Sequence, residues 1–337
     1  MVDVLSQHVD QGLEDALSPA ASDTGLARGC SSAKVAVLMG AFNGRRFLAE
    51  QLDSIAAQAH PDWELWVSDD GSKDDTLAIL EAYRAKWGSD RLSFFLGPAQ
   101  GLATNFLSLA CKAGIQAAYY AYADQDDIWE PDKLSRAVNW LETMQPSVPA
   151  LYCSRTILVD AAGKETGLSV LHAKPPCFAN ALVQNIAGGN TMVFNNAARN
   201  LLRESGADVR VVTHDWWTYI VVTGCGGKVF YDPHPTIRYR QHGRNQLGSN
   251  VGWSGRLARA GMLLDNYFRG WNDLNILALQ RIRSRLPLGN QRILDEFSNA
   301  RNQPLLPRLI GIKRSRVYRQ TMLGNVGLFA AAILKRL

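Results

Sequence analysis

Between residues 34 and 130, short β-type runs alternate with stretches of helical apolar spacing, and nothing else in this chain narrows its fold as much. Lys34-Val35-Ala36-Val37-Leu38-Met39 predicts a first strand, ending at Gly40 and the turn Ala41-Phe42-Asn43-Gly44. Phe47, Leu48, Leu52, Ile55 and Ala56 then follow a helical pattern. Trp63-Glu64-Leu65-Trp66-Val67-Ser68 predicts a second strand, closing in Asp69-Asp70-Gly71-Ser72. Thr76, Leu77, Ile79, Leu80 and Tyr83 predict a helix whose positive N-terminus is met by Asp74 and Asp75. A strand at Leu92–Leu96, a helix over residues 101–113 and an apolar run, 117–122, leading to Asp124 continue the alternation. Short connections between such elements predict an α/β fold, a mostly parallel, Rossmann-like sheet flanked by helices. Ligands bind beyond the carboxyl ends of strands in such sheets. Three polar clusters, at Asn43, Asp69 and Asp124, fall at those predicted ends.

Asp124-Gln125-Asp126-Asp127 puts three carboxylates within four positions, directly after an apolar run. A hard divalent cation such as Mg²⁺ prefers carboxylate oxygens and is the natural counter-charge. Asp124 and Asp126 can share one side of an extended tip, with Asp127 a second route to the ion. A solvated acidic turn ahead of Glu130-Pro131-Asp132 is the alternative.

At 337 residues, 47% hydrophobic and 20% charged, the chain has the composition of a folded protein with a sizeable core. No stretch approaches the roughly 18 apolar residues of a membrane span. Residues 1–33 lack a basic start and an apolar block, so they are expected to be a flexible tail rather than a secretory signal. Five scattered cysteines suit a reducing cytoplasm. Charge is uneven: residues 1–253 hold 21 Lys+Arg against 27 Asp+Glu, residues 254–337 hold 15 against 4. The basic section, 254–337, is expected to be helical over 256–268 and 272–285, interrupted at Pro287-Leu288-Gly289, with an amphipathic stretch over 305–335. Such a section suits peripheral contact with an anionic membrane surface, or a helical cap with a solvated basic face. A nucleic-acid partner is the weaker reading, since aromatic RNA-binding motifs and zinc spacing are missing from the sequence.

The residues 37–44, the Ser68-Asp69-Asp70-Gly71-Ser72 turn and the Asp124–Asp127 run resemble the donor-binding half of family 2 nucleotide-sugar glycosyltransferases, which have the GT-A fold. Gly188-Gly189-Asn190-Thr191 continues the resemblance. His214-Asp215-Trp216-Trp217 and Tyr239-Arg240-Gln241-His242-Gly243-Arg244-Asn245 make it similar to the bacterial rhamnosyltransferases of that family. It covers roughly residues 34–250 and implies a catalytic domain over 34–253, nucleotide-binding over 34–130 and acceptor-binding over 131–253.

The same resemblance implies a nucleotide-diphosphate sugar donor and Mg²⁺ or Mn²⁺ as cofactor. Asp126 would be the direct metal ligand, Asp124 would bind the ribose or the ion through water, and His242 would be a third contact to metal or diphosphate. Donor contacts are expected from Ala41, Asn43, Asp69, Asn105, Gln125, Arg240 and Arg244. Asp69 could pair with a uracil or thymine imide, or it could hold its own turn. Asp215 is the expected general base, with His214 the alternative. Trp129, Trp216, Trp217, Gly188 and Gly189 are expected at the acceptor. The implied reaction is inverting, metal-dependent transfer of L-rhamnose from dTDP-L-rhamnose to a saccharide, lipid-linked or not, of a bacterial surface polysaccharide. A UDP-hexose donor is the other choice.

Overall fold

All seven residues of the first strand, β1 (Val35–Ala41), are buried, which explains its unbroken apolar sequence: both faces of the sheet are covered. Its side chains divide between two cores. Ala36 and Leu38 pack with Phe106, Tyr122 and Phe194, while Val35, Val37 and Met39 pack with Leu52, Leu65 and Leu134. The structure is a computed structural model and describes residues 33–242 and 267–337.

β1 pairs in parallel with β2 (Trp63–Asp69) on one side and with β4 (Tyr119–Ala123) on the other; β3 (Leu92–Leu96) lies beyond β2. Helices α1 (Leu48–Ala56), α2 (Thr76–Trp87) and α3 (Leu102–Cys111) connect these strands. The chain therefore runs outward from β1 through β2 to β3, then crosses back to the far side of β1. That reversal makes the β1/β4 boundary the switch point, where an open sheet leaves a crevice. Register sets Ala41 beside Asp69 and Met39 beside Ala123, so the three polar loops emerge at one edge.

Beyond β4 the sheet is mixed. β8 (Val193–Asn195) is antiparallel to β4, β6 (Ala150–Val159) is antiparallel to β8, β9 (Lys228–Arg240) is parallel to β6, and the short β5 (Ile128–Trp129) is antiparallel to β9. β7 (Glu165–Leu168) pairs with β6. Helices α4 (Lys133–Leu141), α5 (Phe178–Ala181), α6 (Asn196–Ser205) and α7 (His214–Gly224) cover this half. A 3-10 turn, Gly189–Thr191, leads into β8. The Thr191 N–H donates to the Gly188 carbonyl there, 3.0 Å away.

The basic section is helical, as its spacing predicts: α8 (Tyr267–Leu279), a 3-10 segment Gln280–Arg285, α9 (Leu288–Asn302), α10 (Leu305–Arg314) and α11 (Met322–Ile333). The helix expected over 256–268 lies outside the described residues but for its last two. Pro287-Leu288-Gly289 starts α9 rather than interrupting a helix, with Pro287 in the N-cap position. Residues 305–335 form two helices, because Arg316 adopts φ +56° and Thr321 caps a new helix by accepting from the Gly324 N–H at 3.0 Å.

These helices share the core of the sheet: Leu279, Ile282, Leu294, Phe297 and Leu328 pack with Phe106, Phe194 and Trp217. Several arginines serve this packing. Arg281 pairs with Asp208 at 2.8 Å and Arg285 with Glu204 at 2.6 Å, fixing the 3-10 segment against α6. Arg308 is buried and donates to the Ala332 carbonyl at the end of α11, 2.7 Å away, where a cation meets the negative helix terminus.

Candidate active site

Three loops leave the carboxyl edge of the sheet, and hydrogen bonds join them. Gln125, between the aspartates, accepts from the Phe42 N–H and donates to the Phe42 carbonyl, both at 2.9 Å. A Cβ on Gly44 would run into the Gln125 side-chain amide, so a larger residue there would displace Gln125 from the Phe42 backbone. Asn43, in the left-handed region at φ +50°, accepts from the Lys73 N–H at 2.8 Å, and its own N–H donates to Ser72 Oγ at 2.8 Å. Asp69 is buried and accepts from the Ser72 N–H at 2.9 Å, the Gly71 N–H at 3.2 Å and the Ser72 hydroxyl. Asp70 takes the N–H groups of Ala99 and Gly101 at 2.7 and 3.1 Å.

This frame changes the part played by several expected donor contacts. Asp69 holds its own turn, and Gln125 holds the β1 loop. Ala41 is buried, with its carbonyl accepting from the Asp70 N–H at 2.8 Å. Asn105 is also buried rather than facing a ligand, because its side chain bonds the hydroxyl and the carbonyl of Ser68.

Inside the frame, carboxylate oxygens of Asp124, Asp126 and Asp127 come within 4.8 Å of one another. Burial, followed by the charges of Asp127, Asp126 and Asp215, holds the Asp124 carboxyl well above the usual carboxylate range. Asp215 is thus near enough to press on Asp124, although 91 residues separate them in sequence. The donor set is entirely carboxylate oxygen, which fits a hard divalent cation.

The three aspartates differ in what else they do. Asp126 meets His242 Nε2 at 2.7 Å, and the His242 ring stacks on Phe47 at 5.3 Å. Sheet register explains that meeting. Ile128 pairs with Arg238 across β5 and β9, so the chain before Ile128 runs alongside the chain after Arg238. Asp127 is fully buried and accepts from Asn190 Nδ2 at 2.5 Å and from the Arg240 N–H at 3.2 Å. The Arg240 guanidinium lies 4.6 Å over the Phe47 ring, donates to the Asp126 carbonyl at 3.1 Å and pairs with Glu50 at 2.5 Å. Arg244 lies outside the described residues.

Lys133 is a member that sequence reasoning missed. It is fully buried, donates to the Asn190 carbonyl at 2.9 Å and sits 4.6 Å over the Trp129 ring. Burial lowers its pKa and raises that of Asp127, while each charge favours the other. A signal was present: the buried face of α4 is Lys133, Leu134, Ala137, Val138 and Leu141, so a lysine occupies an apolar stripe position. Lys133→Met is expected to lower unfolding free energy by about 1–3 kcal/mol, because the buried Asn190 carbonyl loses its donor. Denaturant unfolding monitored by circular dichroism measures this.

Asp215 sits in the first turn of α7, half-buried, accepting from the Trp216 N–H at 2.6 Å. A carboxylate is favoured at that helix end. His214 is buried behind it, stacked on Phe106 at 3.9 Å with neither ring nitrogen hydrogen-bonded, and burial holds it down to about 4, hence neutral. Gly189 is glycine for the sake of that ring: a Cβ would come within 2.4 Å of His214 Nε2. Gly188 packs in the same way against Asn190.

The tryptophans expected at the acceptor are core residues. Trp216 donates to the Ala181 carbonyl at 2.7 Å, Trp217 donates to Ser205 Oγ at 3.2 Å, and Trp129 is buried against Lys133. Their area is worth more inside than beside a hydrophilic ligand.

Residues 36–199 match the model of the glycosyl transferase family 2. Those residues form a family 2 glycosyltransferase domain. A relative of this transferase, the dTDP-rhamnosyl transferase RfbG of Shigella flexneri, is 29% identical over 241 residues, 68% of this chain and 81% of that one. Among solved structures, S. aureus TarS 1-349 in complex with UDP-GlcNAc superposes with a TM-score of 0.51 at 15% identity, over 84% of this chain and 89% of that one. The mannosyltransferase PcManGT from Pyrobaculum calidifontis, in complex with GDP-Man and Mn²⁺, gives 0.50 at 17% identity, over 91% and 86%. These two likenesses concern the fold, and the transferase has the GT-A fold.

Proposed function

We propose that this glycosyltransferase moves L-rhamnose from dTDP-L-rhamnose to a saccharide acceptor, free or lipid-linked, of a bacterial surface polysaccharide, with inversion and with help from Mg²⁺ or Mn²⁺. The observation that carries the reading is the carboxylate cluster at the β1/β4 switch point, with Asp215 close enough to bear on Asp124. Similarity to RfbG supports the choice of donor, and the Mn²⁺ in the PcManGT complex supports the metal.

Asp126 and Asp124 would hold the cation, with His242 beside Asp126. Bound there, the cation supplies positive charge against the diphosphate leaving group. The remaining work falls to the protein's own groups. Asp127, anchored by Asn190 and the Arg240 backbone, fixes the loop that presents its two neighbours, and Lys133 steadies Asn190 through its carbonyl. Gln125 locks that loop to the β1 loop, where a nucleotide would lie across the crevice. Asp215 accepts the proton of the acceptor hydroxyl as its oxygen bonds to the anomeric carbon, and the bond from that carbon to the diphosphate oxygen breaks.

Donor choice is testable directly. Release of nucleoside diphosphate from dTDP-L-rhamnose is expected to exceed that from UDP- and GDP-hexoses by about 100-fold or more in kcat/KM, the discrimination that differential pocket contacts can supply. Faster release from a UDP-hexose would move the assignment to that donor.

A further inference from the structure

The last 41 residues, 297–337, contain eight Lys+Arg and no Asp or Glu. Two of those cations are spent inside: Arg301 pairs with Asp273 at 2.8 Å, and Arg308 binds backbone carbonyls. Lys313, Arg314, Arg316 and Lys335 are exposed, and no carboxylate pairs with them among the described residues. Between Arg316 and Lys335 lies α11, which buries Leu328, Ala331 and Ala332 and turns Met322, Leu323, Val326, Phe329, Ile333 and Leu334 outward. Four of these, at 322, 326, 329 and 333, follow the spacing of one helix face. Exposure is heavy: 86% for Met322, 69% for Leu323 and 58% for Val326. A surface stripe of that kind on a folded chain has a partner.

We infer that the outer face of α11 docks on a bilayer rich in anionic lipid, with the helix lying along the membrane surface. Its apolar side chains enter the boundary between headgroups and acyl chains, and the cations near both ends of the helix meet lipid phosphates. Charge decides between this occupant and a second copy of the chain. Two-fold pairing of the face would set like patches opposite each other, cation near cation, with no acidic side chain in residues 297–337 to offset them. A membrane-spanning helix is a different matter: none of the described helices is long and apolar enough to cross a bilayer. The inference rests on this surface and not on the transfer reaction.

The test is co-flotation of the full-length protein, without donor or acceptor, with vesicles of phosphatidylglycerol and phosphatidylethanolamine or of phosphatidylcholine alone. The native protein is expected to float with the anionic vesicles, weakly with the neutral ones, and less as salt rises. Met322→Glu combined with Val326→Glu, both on exposed positions, is expected to reduce partition about tenfold or more at an unchanged thermal midpoint. Lys313→Glu with Arg316→Glu is expected to remove the preference for anionic lipid. Absence of the native protein from anionic vesicles overturns the inference, as does equal flotation of the Met322/Val326 variant. So does a dimer in solution that this variant dissolves while vesicle binding stays absent. Since binding is read without turnover, loss of the inference leaves the transfer reading standing, and the reverse also holds.

Discussion

Asp215→Asn is expected to lower kcat for sugar transfer about 1000-fold, within the range of a lost general base, while the dissociation constant for nucleoside diphosphate changes less than about twofold. The substitution isolates chemistry from folding. An asparagine has the same shape and its amide oxygen can still accept from the Trp216 N–H, the one hydrogen bond shown for the native side chain. Losing the charge from the first turn of α7 costs only about 0.3–1 kcal/mol of helix stabilisation. Removing it also relieves Asp124 of a repelling neighbour. Calorimetric titration of nucleotide, alongside steady-state transfer, separates the effects. Retained turnover with weakened nucleotide binding would take the base role from Asp215.

Asp126→Asn is expected to have the opposite profile, a loss of metal-dependent donor binding before any loss of chemistry. Disturbing even an outer-shell partner of a metal ligand costs about 10–100-fold in affinity, and a direct ligand should cost at least the upper figure. In the absence of metal the variant should be as stable as the native protein, because it removes one of three crowded carboxylates at a part-exposed position. Addition of Mn²⁺ is expected to raise the thermal midpoint of the native protein and to leave the variant's unchanged, since a cation that binds only the folded state stabilises it in proportion to its occupancy. A variant that still gains from Mn²⁺ would displace Asp126 as the principal ligand.

Much of the first half of the fold was legible because a buried parallel strand and an amphipathic helix have distinct local periods. The strand Leu92–Leu96 was read at its observed bounds, and β1, β2 and β4 came within two residues. The polar loops at the carboxyl edge were legible too, since alternation predicts parallel strands and the carboxyl ends of parallel strands share one edge. What could not be read is which of their side chains are spent on the loops themselves. Asp69, Asn105 and Gln125 look like ligand contacts in sequence, and in the structure Asp69 and Gln125 bond neighbouring loop atoms while Asn105 bonds Ser68 of β2. The mixed half was harder, because the pairing of β5 with β9 joins residues more than 100 apart, and it is this register that brings His242 to Asp126. Composition misled at the tryptophans: indole beside a carboxylate suggests a sugar platform, whereas Trp216 and Trp217 fill the core under α7. Lys133 was overlooked for the converse reason: a cation beside Pro131-Asp132 reads as a solvated helix start, although its place in the apolar stripe of α4 marks it as buried.

The central claim is that Asp124 and Asp126, on a loop fixed by Asp127, form a divalent-cation site at which the donor diphosphate lies. Electron paramagnetic resonance of Mn²⁺ titrated into the full-length protein measures it without reliance on turnover, because free and bound Mn²⁺ differ in signal. The account predicts one Mn²⁺ site per chain, tightened by dTDP and lost in Asp126→Asn. Mn²⁺ that binds the variant as tightly as the native protein, or a native protein that leaves Mn²⁺ free even with saturating dTDP, would contradict it.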